Sequence, residues 1–166
     1  MKTLYIVRHA KSSWEDPLLD DFARPLNDRG KRDAPKMAKR MKEKSIAPDL
    51  MMTSPARRAK GTCKRMAEIF EYDEEKIRTD RDLYLASAQQ ILNTIRSVKD
   101  KHESLLIVGH NPGLTDFVNA FGNQHFDNIP TCGVAAFEIS VDSWEELKHG
   151  MGKLLFYDFP RDKKKN

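Results

Sequence analysis

The sequence predicts an α/β fold: a three-layer α/β/α sandwich built on a mostly parallel central sheet with an antiparallel strand at an edge. Short apolar runs typical of buried strands alternate with longer segments in which apolar residues recur at helical spacing. This alternation is typical of a parallel sheet that is covered by helices on both faces. A length of 166 residues suits one such domain. We expect that domain over residues 1–160, followed by a basic tail at 161–166.

Six segments are predicted to be strands, because they are apolar, rich in β-branched residues or alternating in character. They lie at residues 3–7, 48–53, 77–79, 105–108, 134–141 and 153–157. The last of them is expected at an edge of the sheet.

Four segments have the apolar periodicity of helices with one buried face, at residues 27–44, 55–70, 87–98 and 114–121. Asn27 and Ser87 are residue types that favour N-caps, and Pro55 suits a first helical turn. Three connections have no regular spacing, at residues 11–26, 80–86 and 122–133, and we expect the rim of a substrate site there.

Three predicted strands end next to arginine or histidine. Arg8 and His9 follow the first strand, Ser54 and Arg58 follow the second, and His110 follows the fourth. The carboxyl ends of parallel strands meet at one edge of a sheet, where ligands of open α/β folds bind. The sequence therefore predicts one cationic pocket that contains two imidazoles.

Those side chains suit phosphoryl transfer, which depends on positioning and on stabilising dispersed negative charge. Arg8 and Arg58 can each bond two phosphate oxygens, and a neutral His9 can attack phosphorus as the nucleophile. His110 and the backbone N–H of Asn111 are expected to donate hydrogen bonds to the phosphoryl oxygens. The remaining histidines, His102, His125 and His149, have no comparable setting and are expected at the surface or rim.

The same residues resemble the motifs of a known family, the histidine phosphatase superfamily, in the branch that holds phosphoglycerate mutase-like enzymes. Residues 8–10, Arg-His-Ala, resemble its opening Arg-His-Gly motif, and residues 109–112, Gly-His-Asn-Pro, match its second-histidine motif. Residues 54–62 resemble its Ser-Pro-x-x-Arg-Ala-x-x-Thr motif, which selects Arg58 over Arg57. The small SixA-like phosphohistidine phosphatases are the closer match, and the resemblance spans residues 1–160.

The resemblance implies a phosphohistidine intermediate on His9 in a pocket completed by Arg8, Arg58 and His110, with no metal and no other cofactor. It also implies a general acid from the segment before a later helix, where Asp82 is the best local match and Asp80 the second.

The chain departs from the family pattern at two positions. Ala10 replaces the usual glycine, and Glu15 stands near a position where mutase-like members carry Asn.

The function predicted first is a metal-independent phosphatase that acts on phosphohistidine in a partner protein. Once the ring of N-phosphohistidine is protonated, it leaves readily as neutral imidazole. The short connection before residue 87 favours an open pocket. The alternatives are a non-catalytic phosphate-binding module, and a small-molecule phosphatase or mutase of the same family. An aspartate nucleophile in residues 80–82 ranks last, because no strong apolar strand precedes it.

Composition limits the partners. The net charge of +4 has a contribution from the basic tail, and no aromatic-basic pattern accompanies it, so no nucleic acid is expected as a partner. No apolar run approaches the roughly 20 residues of a membrane helix, so no membrane partner is expected either. With two cysteines and no signal-peptide core, we expect a cytoplasmic protein, and we expect a monomer.

Overall fold

The computed structural model describes residues 1–161, which form a six-stranded sheet with four α-helices. The strands are β1 (Lys2–Arg8), β2 (Leu50–Thr53), β3 (Arg78–Thr79), β4 (Ser104–Gly109), β5 (Val134–Ile139) and β6 (Lys153–Asp158). The helices are α1 (Asp28–Glu43), α2 (Arg57–Phe70), α3 (Ala88–Arg96) and α4 (Gly113–Phe121).

The sheet has the strand order β3-β2-β4-β1-β5-β6. Strands β3, β2, β4 and β1 are parallel neighbours, whereas β5 pairs antiparallel with both β1 and β6. The prediction of a mostly parallel sheet with antiparallel pairing at one edge is confirmed, and β6 is the strand at that antiparallel edge.

The two faces of the sheet are buried in two separate apolar layers, because successive side chains of a strand point to opposite faces. From β1, Leu4 and Ile6 pack in one layer with the apolar faces of α3 and α4. Tyr5 and Val7 pack in the other layer with α1 and α2. This arrangement makes the predicted three-layer sandwich.

The helix starts follow the predicted caps at two of three positions. The Asn27 side chain accepts a hydrogen bond from the Gly30 N–H at 2.8 Å, and Ser87 caps α3 in a capping box. The expectation that Pro55 lies in the first turn of α2 is wrong. Ala56, which has an extended ψ of 140°, is the N-cap, and its N–H donates to Ser54 Oγ at 3.2 Å. Because the Ala56 N–H is bonded to Ser54 and Ala56 is not helical, α2 begins at Arg57.

The predicted basic tail lies almost wholly outside the described residues. Its first residue, Arg161, donates a hydrogen bond to Asp158 Oδ1 at 2.6 Å. Among residues 1–161, none of the helices has the length and apolar character needed to cross a bilayer.

Candidate active site

The ends of β1, β4 and β2 lie at one level of the sheet. Val7 is paired with Val108, and Val108 is paired with Thr53, so the three chains leave the sheet side by side. The residues that follow are His9, His110 and Ser54. Backbone hydrogen bonds extend the alignment past the strands, from the His9 N–H to the Gly109 carbonyl at 3.0 Å and from the Ser54 N–H to the Val108 carbonyl at 3.1 Å.

The ring of His9 is held in one orientation at the end of β1. The residue is 8% exposed, and Nδ1 lies 2.8 Å from the carbonyl oxygen of Ala10. Because a carbonyl can only accept, Nδ1 holds the proton and Nε2 presents a lone pair. Burial, reinforced by the charges of Arg58 and Arg8, lowers the pKa of His9 to about 4 in spite of the hydrogen bond to Ala10. The imidazole is therefore neutral at pH 7.

Arg58 joins the two imidazoles. It is the second residue of α2, is 3% exposed and donates from Nε to His9 Nε2 at 3.4 Å. Its Nη2 lies 3.3 Å from Nδ1 of His110. The neighbouring Arg57 is exposed. The structure thus places Arg58, and not Arg57, between the histidines, because adjacent helical residues point about 100° apart.

His110 is more deeply buried than His9, at 2% exposure. Its Nδ1 faces Arg58, which has only donors, so Nδ1 accepts and Nε2 holds the proton. Nε2 then donates to Ser54 Oγ at 2.7 Å. Burial, followed by the neighbouring His9 and the charge of Arg58, lowers the pKa of His110 to about 3. In its neutral form, His110 directs its N–H to Ser54, and a second N–H requires protonation of Nδ1.

Arg8 lies beside these groups with an unused donor. Its Nη1 donates to the carbonyl oxygen of Ile129 at 2.9 Å. Its Nε is buried and has no hydrogen-bond partner among residues 1–161. Burial and the charge of Arg58 lower the pKa of Arg8. A buried guanidinium N–H without a protein acceptor is suited to an oxyanion.

Asn111 uses its side chain to hold the loop after β4. Its amide Nδ2 donates to Asn128 Oδ1 at 2.9 Å and to the Ile129 carbonyl at 3.0 Å, and its Oδ1 accepts from the N–H and hydroxyl of Thr115. The peptide bond to Pro112 is cis. Only the backbone N–H of Asn111 is left as a phosphate ligand, and that role stays a prediction.

Thr62 ties the loop that carries His9 to α2. Its hydroxyl donates to the Arg58 carbonyl at 2.8 Å and accepts from the Ala10 N–H at 2.9 Å, and the side chain is fully buried. A single hydroxyl thus fixes the distance between the chain that carries His9 and the helix that carries Arg58.

Among residues 1–161, Asp21 is the carboxylate that hydrogen-bonds to this cluster. It begins a one-turn 3-10 helix, Asp21–Ala23, and its Oδ2 accepts from Arg58 Nη2 at 2.9 Å and from the Tyr84 hydroxyl at 2.6 Å. Its backbone carbonyl accepts from Arg58 Nη1 at 2.6 Å, and Arg24 donates to Oδ1 at 3.1 Å. Desolvation would raise the pKa of Asp21, but the hydrogen bonds from Tyr84 and Arg58 and the arginine charges hold it below the usual value.

Two glycines hold the segments that border the site, residues 11–26 and 80–86, close to the helices. A Cβ on Gly30 would overlap the carbonyl oxygen of Lys11, and a Cβ on Gly113 would overlap that of Ala86. Both contacts are with backbone, which cannot rotate away. We call the two segments the rim, and His9, Ser54, Arg58 and His110 the floor.

Asp82, the sequence-predicted general acid, lies on the rim with an exposed side chain. It belongs to a one-turn 3-10 helix, Arg81–Leu83, and its N–H donates to Asp80 Oδ1 at 2.9 Å. Within residues 1–161, no hydrogen bond or ion pair joins its carboxylate to the floor. Glu15 is likewise exposed on the rim. The acid role of Asp82 stays a prediction.

Sequence reasoning missed Asp21 and Tyr84 as parts of the site. Asp21 occurs in an irregular segment with no apolar periodicity, and Tyr84 follows the favoured Asp82 by two positions. Neither has a local signal, because the contact that makes them relevant joins residues 63 positions apart. Thr62 does have a signal, since it ends the motif at residues 54–62.

The comparisons with known proteins agree with this geometry. The family described as histidine phosphatase superfamily (branch 1) matches residues 4–85. That range contains both arginines and the His9 imidazole of the cluster. Over residues 4–85 the chain is therefore similar to the histidine phosphatase superfamily, and its fold is SixA-like.

The structure superposes on SixA from Agrobacterium tumefaciens with a TM-score of 0.80 and 25% identity, covering 96% of this chain and 99% of that chain. It also superposes on the protein histidine phosphatase SixA in complex with tungstate, with a TM-score of 0.81 and 17% identity over 95% of this chain and 96% of that one.

Sequence relatives extend the same similarity. An uncharacterised chloroplastic protein of Arabidopsis thaliana is 28% identical over 153 residues, which cover 87% of this chain and 70% of the relative. An uncharacterised protein of Mycobacterium tuberculosis is 27% identical over 165 residues, which cover 93% of this chain and all of the relative.

Proposed function

We propose that this protein is a phosphohistidine phosphatase that works through a phosphoryl group carried transiently on His9. The observation that supports it most is the orientation of the His9 ring. Its Nδ1–H is engaged by the Ala10 carbonyl, and its Nε2 lone pair accepts one long hydrogen bond, 3.4 Å, from Arg58 Nε in a buried, cationic floor, a contact that an entering phosphoryl group would replace. This is the arrangement that a nitrogen nucleophile needs in order to attack a phosphoryl group.

In the first step, the Nε2 lone pair of His9 forms a bond to phosphorus. The bond between phosphorus and the substrate nitrogen breaks, and its electron pair returns to that nitrogen. When the substrate ring is protonated on its other nitrogen, it leaves as neutral imidazole and no further proton is needed. His9 becomes a phosphoimidazolium whose positive charge is shared with the hydrogen bond to Ala10.

In the second step, water attacks the same phosphorus. The electron pair of the phosphorus–nitrogen bond returns to Nε2, which restores neutral His9, and the proton of water passes to the released phosphate or to solvent. Arg8 and Arg58 offset the charge on the phosphoryl oxygens in both steps. A bound dianion would also favour protonation of His110 at Nδ1, which would give it an N–H to donate.

Phosphohistidine in a partner protein suits the site better than an alkyl phosphate does. Its leaving imidazole has a conjugate-acid pKa near 6.5, so departure does not depend on a strong general acid. The exposed position of Asp82 supports this choice, and so does the similarity to a protein histidine phosphatase. A cytoplasmic location, a monomeric state and the absence of a required metal belong to the same proposal.

The experiment is phosphoenzyme trapping in wild type and in His9→Ala, with His125→Ala as a control because His125 is an exposed histidine. Quenched turnover of a phosphohistidine peptide should leave acid-labile, alkali-stable phosphate on wild type and on the control. His9→Ala should trap none, and its turnover should fall by at least about 10³-fold, as expected when a covalent nucleophile is removed. A chelator should leave wild-type turnover unchanged.

Turnover by His9→Ala at the wild-type rate would overturn the proposal. Phosphate binding by wild type without release above the His9→Ala level would instead identify a phosphate-binding module.

A further inference from the structure

Asp21 is a charged group at the site that the proposed reaction does not use. Its carboxylate is 45% exposed, whereas His9, Arg58 and His110 of the floor are at most 8% exposed. It also contacts Tyr84 across the pocket, so it bridges the two segments of the rim. Asp21 therefore lies at the open side of the cluster, in contact with solvent.

The direction of the reaction places the leaving group on that same side. In phosphoryl transfer, the attacking and leaving atoms lie roughly in line with phosphorus between them. The attacking atom, Nε2 of His9, belongs to the buried floor. The group that departs must then point away from the floor, toward the rim and Asp21.

The carboxylate of Asp21 is held in a fixed position there. Oδ2 accepts from both Arg58 and Tyr84, and Oδ1 accepts from Arg24. These donors also favour the ionised form of the group. A bound phosphoryl group competes for the charge of Arg58, so the carboxylate keeps a negative potential at the mouth of the pocket.

We propose that Asp21 is the specificity-determining residue that selects substrates by the charge of their leaving group. It favours a protonated imidazole, as in phosphohistidine, and disfavours an oxygen leaving group that develops negative charge. This inference rests on the proposed phospho-His9 reaction and adds its substrate preference. The carboxylate attracts the imidazolium ring and keeps it protonated, whereas it repels a phenolate as the phosphorus–oxygen bond breaks.

The test compares two substrates that share the phosphoryl group and differ in the leaving group: a phosphohistidine peptide and p-nitrophenyl phosphate. Asp21→Asn removes the charge and keeps an oxygen that can accept from Arg58. We expect kcat/KM for the peptide to fall about fivefold and kcat/KM for the aryl phosphate to stay level or rise, a change typical of one charge pair near solvent.

Two further variants separate charge from positioning. Asp21→Glu retains the carboxylate and should retain the preference for the peptide. Tyr84→Phe removes the hydroxyl that bonds to Oδ2 but leaves the charge, so it should change both substrates by the same factor.

A parallel loss of both activities in Asp21→Asn would overturn the inference, since it would mean that Asp21 only orients Arg58. Unchanged values for both substrates would overturn it as well. In either case, phosphate trapped on His9 would show that the proposed function holds. Absence of trapped phosphate with both substrates would instead count against the proposed function.

Discussion

The floor and the rim of the site are built by different means. Floor residues follow aligned parallel strands, are almost fully buried and are oriented by hydrogen bonds to nearby backbone or to one another. Rim residues belong to irregular segments, and the bond between Asp21 and Tyr84 joins side chains that are 63 positions apart. Aligned strand ends bring the floor groups together, whereas loop packing brings Asp21 and Tyr84 beside them. Under the proposed reaction, the floor would hold the phosphoryl group and the rim would select the leaving group.

After His9→Ala, the variant expected to lose most activity is the one that removes the guanidinium of the floor. We expect Arg58→Ala to lower kcat/KM by about 10²- to 10³-fold, because it deletes a buried charge that the proposed reaction uses to stabilise the transferred group. Arg57→Ala is the matched control, since Arg57 is the adjacent helical residue and is exposed. It should stay within about twofold of wild type in steady-state kinetics. Similar losses in the two variants would contradict the prediction, because they would show that burial of Arg58 in the floor gives it no special role in turnover.

A pH titration of stability measures the burial of the floor histidines. Their pKa values of about 4 for His9 and about 3 for His110 lie below the unfolded value near 6.5. As the pH falls through about 6.5 toward 4, these two histidines become protonated in the unfolded chain but stay neutral in the native state. The free energy of unfolding therefore decreases, by up to about 1.4 kcal/mol per pH unit for each histidine. Above about pH 6.5 this contribution is fully present.

Denaturant unfolding at about pH 6 and about pH 5 checks this slope. His9→Ala should reduce the slope by about 1 kcal/mol per pH unit, whereas His125→Ala should leave it unchanged because the ring is exposed. Identical slopes in all three proteins would show that the His9 ring is not desolvated.

The variant expected to change turnover of the phosphohistidine peptide least is the one that neutralises Asp82, the predicted general acid on the rim. Asp82→Asn should change kcat/KM for a phosphohistidine peptide by less than about threefold, because imidazole departs without a strong acid. For an alkyl phosphate, if Asp82 is the general acid, the same variant should lose about 10²-fold or more, since an alkoxide needs a proton. Glu15→Gln, another exposed rim carboxylate, is the control. A large loss with the peptide would assign the first step a general acid and move Asp82 into the catalytic set.

Much of the fold and the floor could be predicted from the sequence, for a physical reason. The end of a buried strand is marked locally by the change from apolar to polar residues, and parallel pairing then brings such ends together. Arg58 could be separated from Arg57 only through the motif that follows Ser54. Periodicity alone left that choice open, because both arginines precede the same apolar stripe.

Helix boundaries were predicted less well where a side chain redirects the backbone. Pro55 suits a first helical turn by propensity, yet Ala56 is extended and donates to Ser54 Oγ, so α2 begins at Arg57. The serine that stops the helix early is also the acceptor for His110. The second role depends on His110, 56 positions further along the chain, which no local pattern at residues 54–57 contains.

The succession of strands and helices along the chain, the residues at the strand ends and their shared positive charge could all be derived from the amino-acid sequence. The folded arrangement of the site decided which nitrogen of each imidazole holds the proton, because that depends on the Ala10 carbonyl, on Ser54 and on Arg58. It also decided that Asp21, and not Asp82, contacts the floor. A hydrophobic pattern indicates which residues of one segment are buried. A hydrogen bond across a pocket depends on the distance between two segments, and that distance is set only when the chain folds.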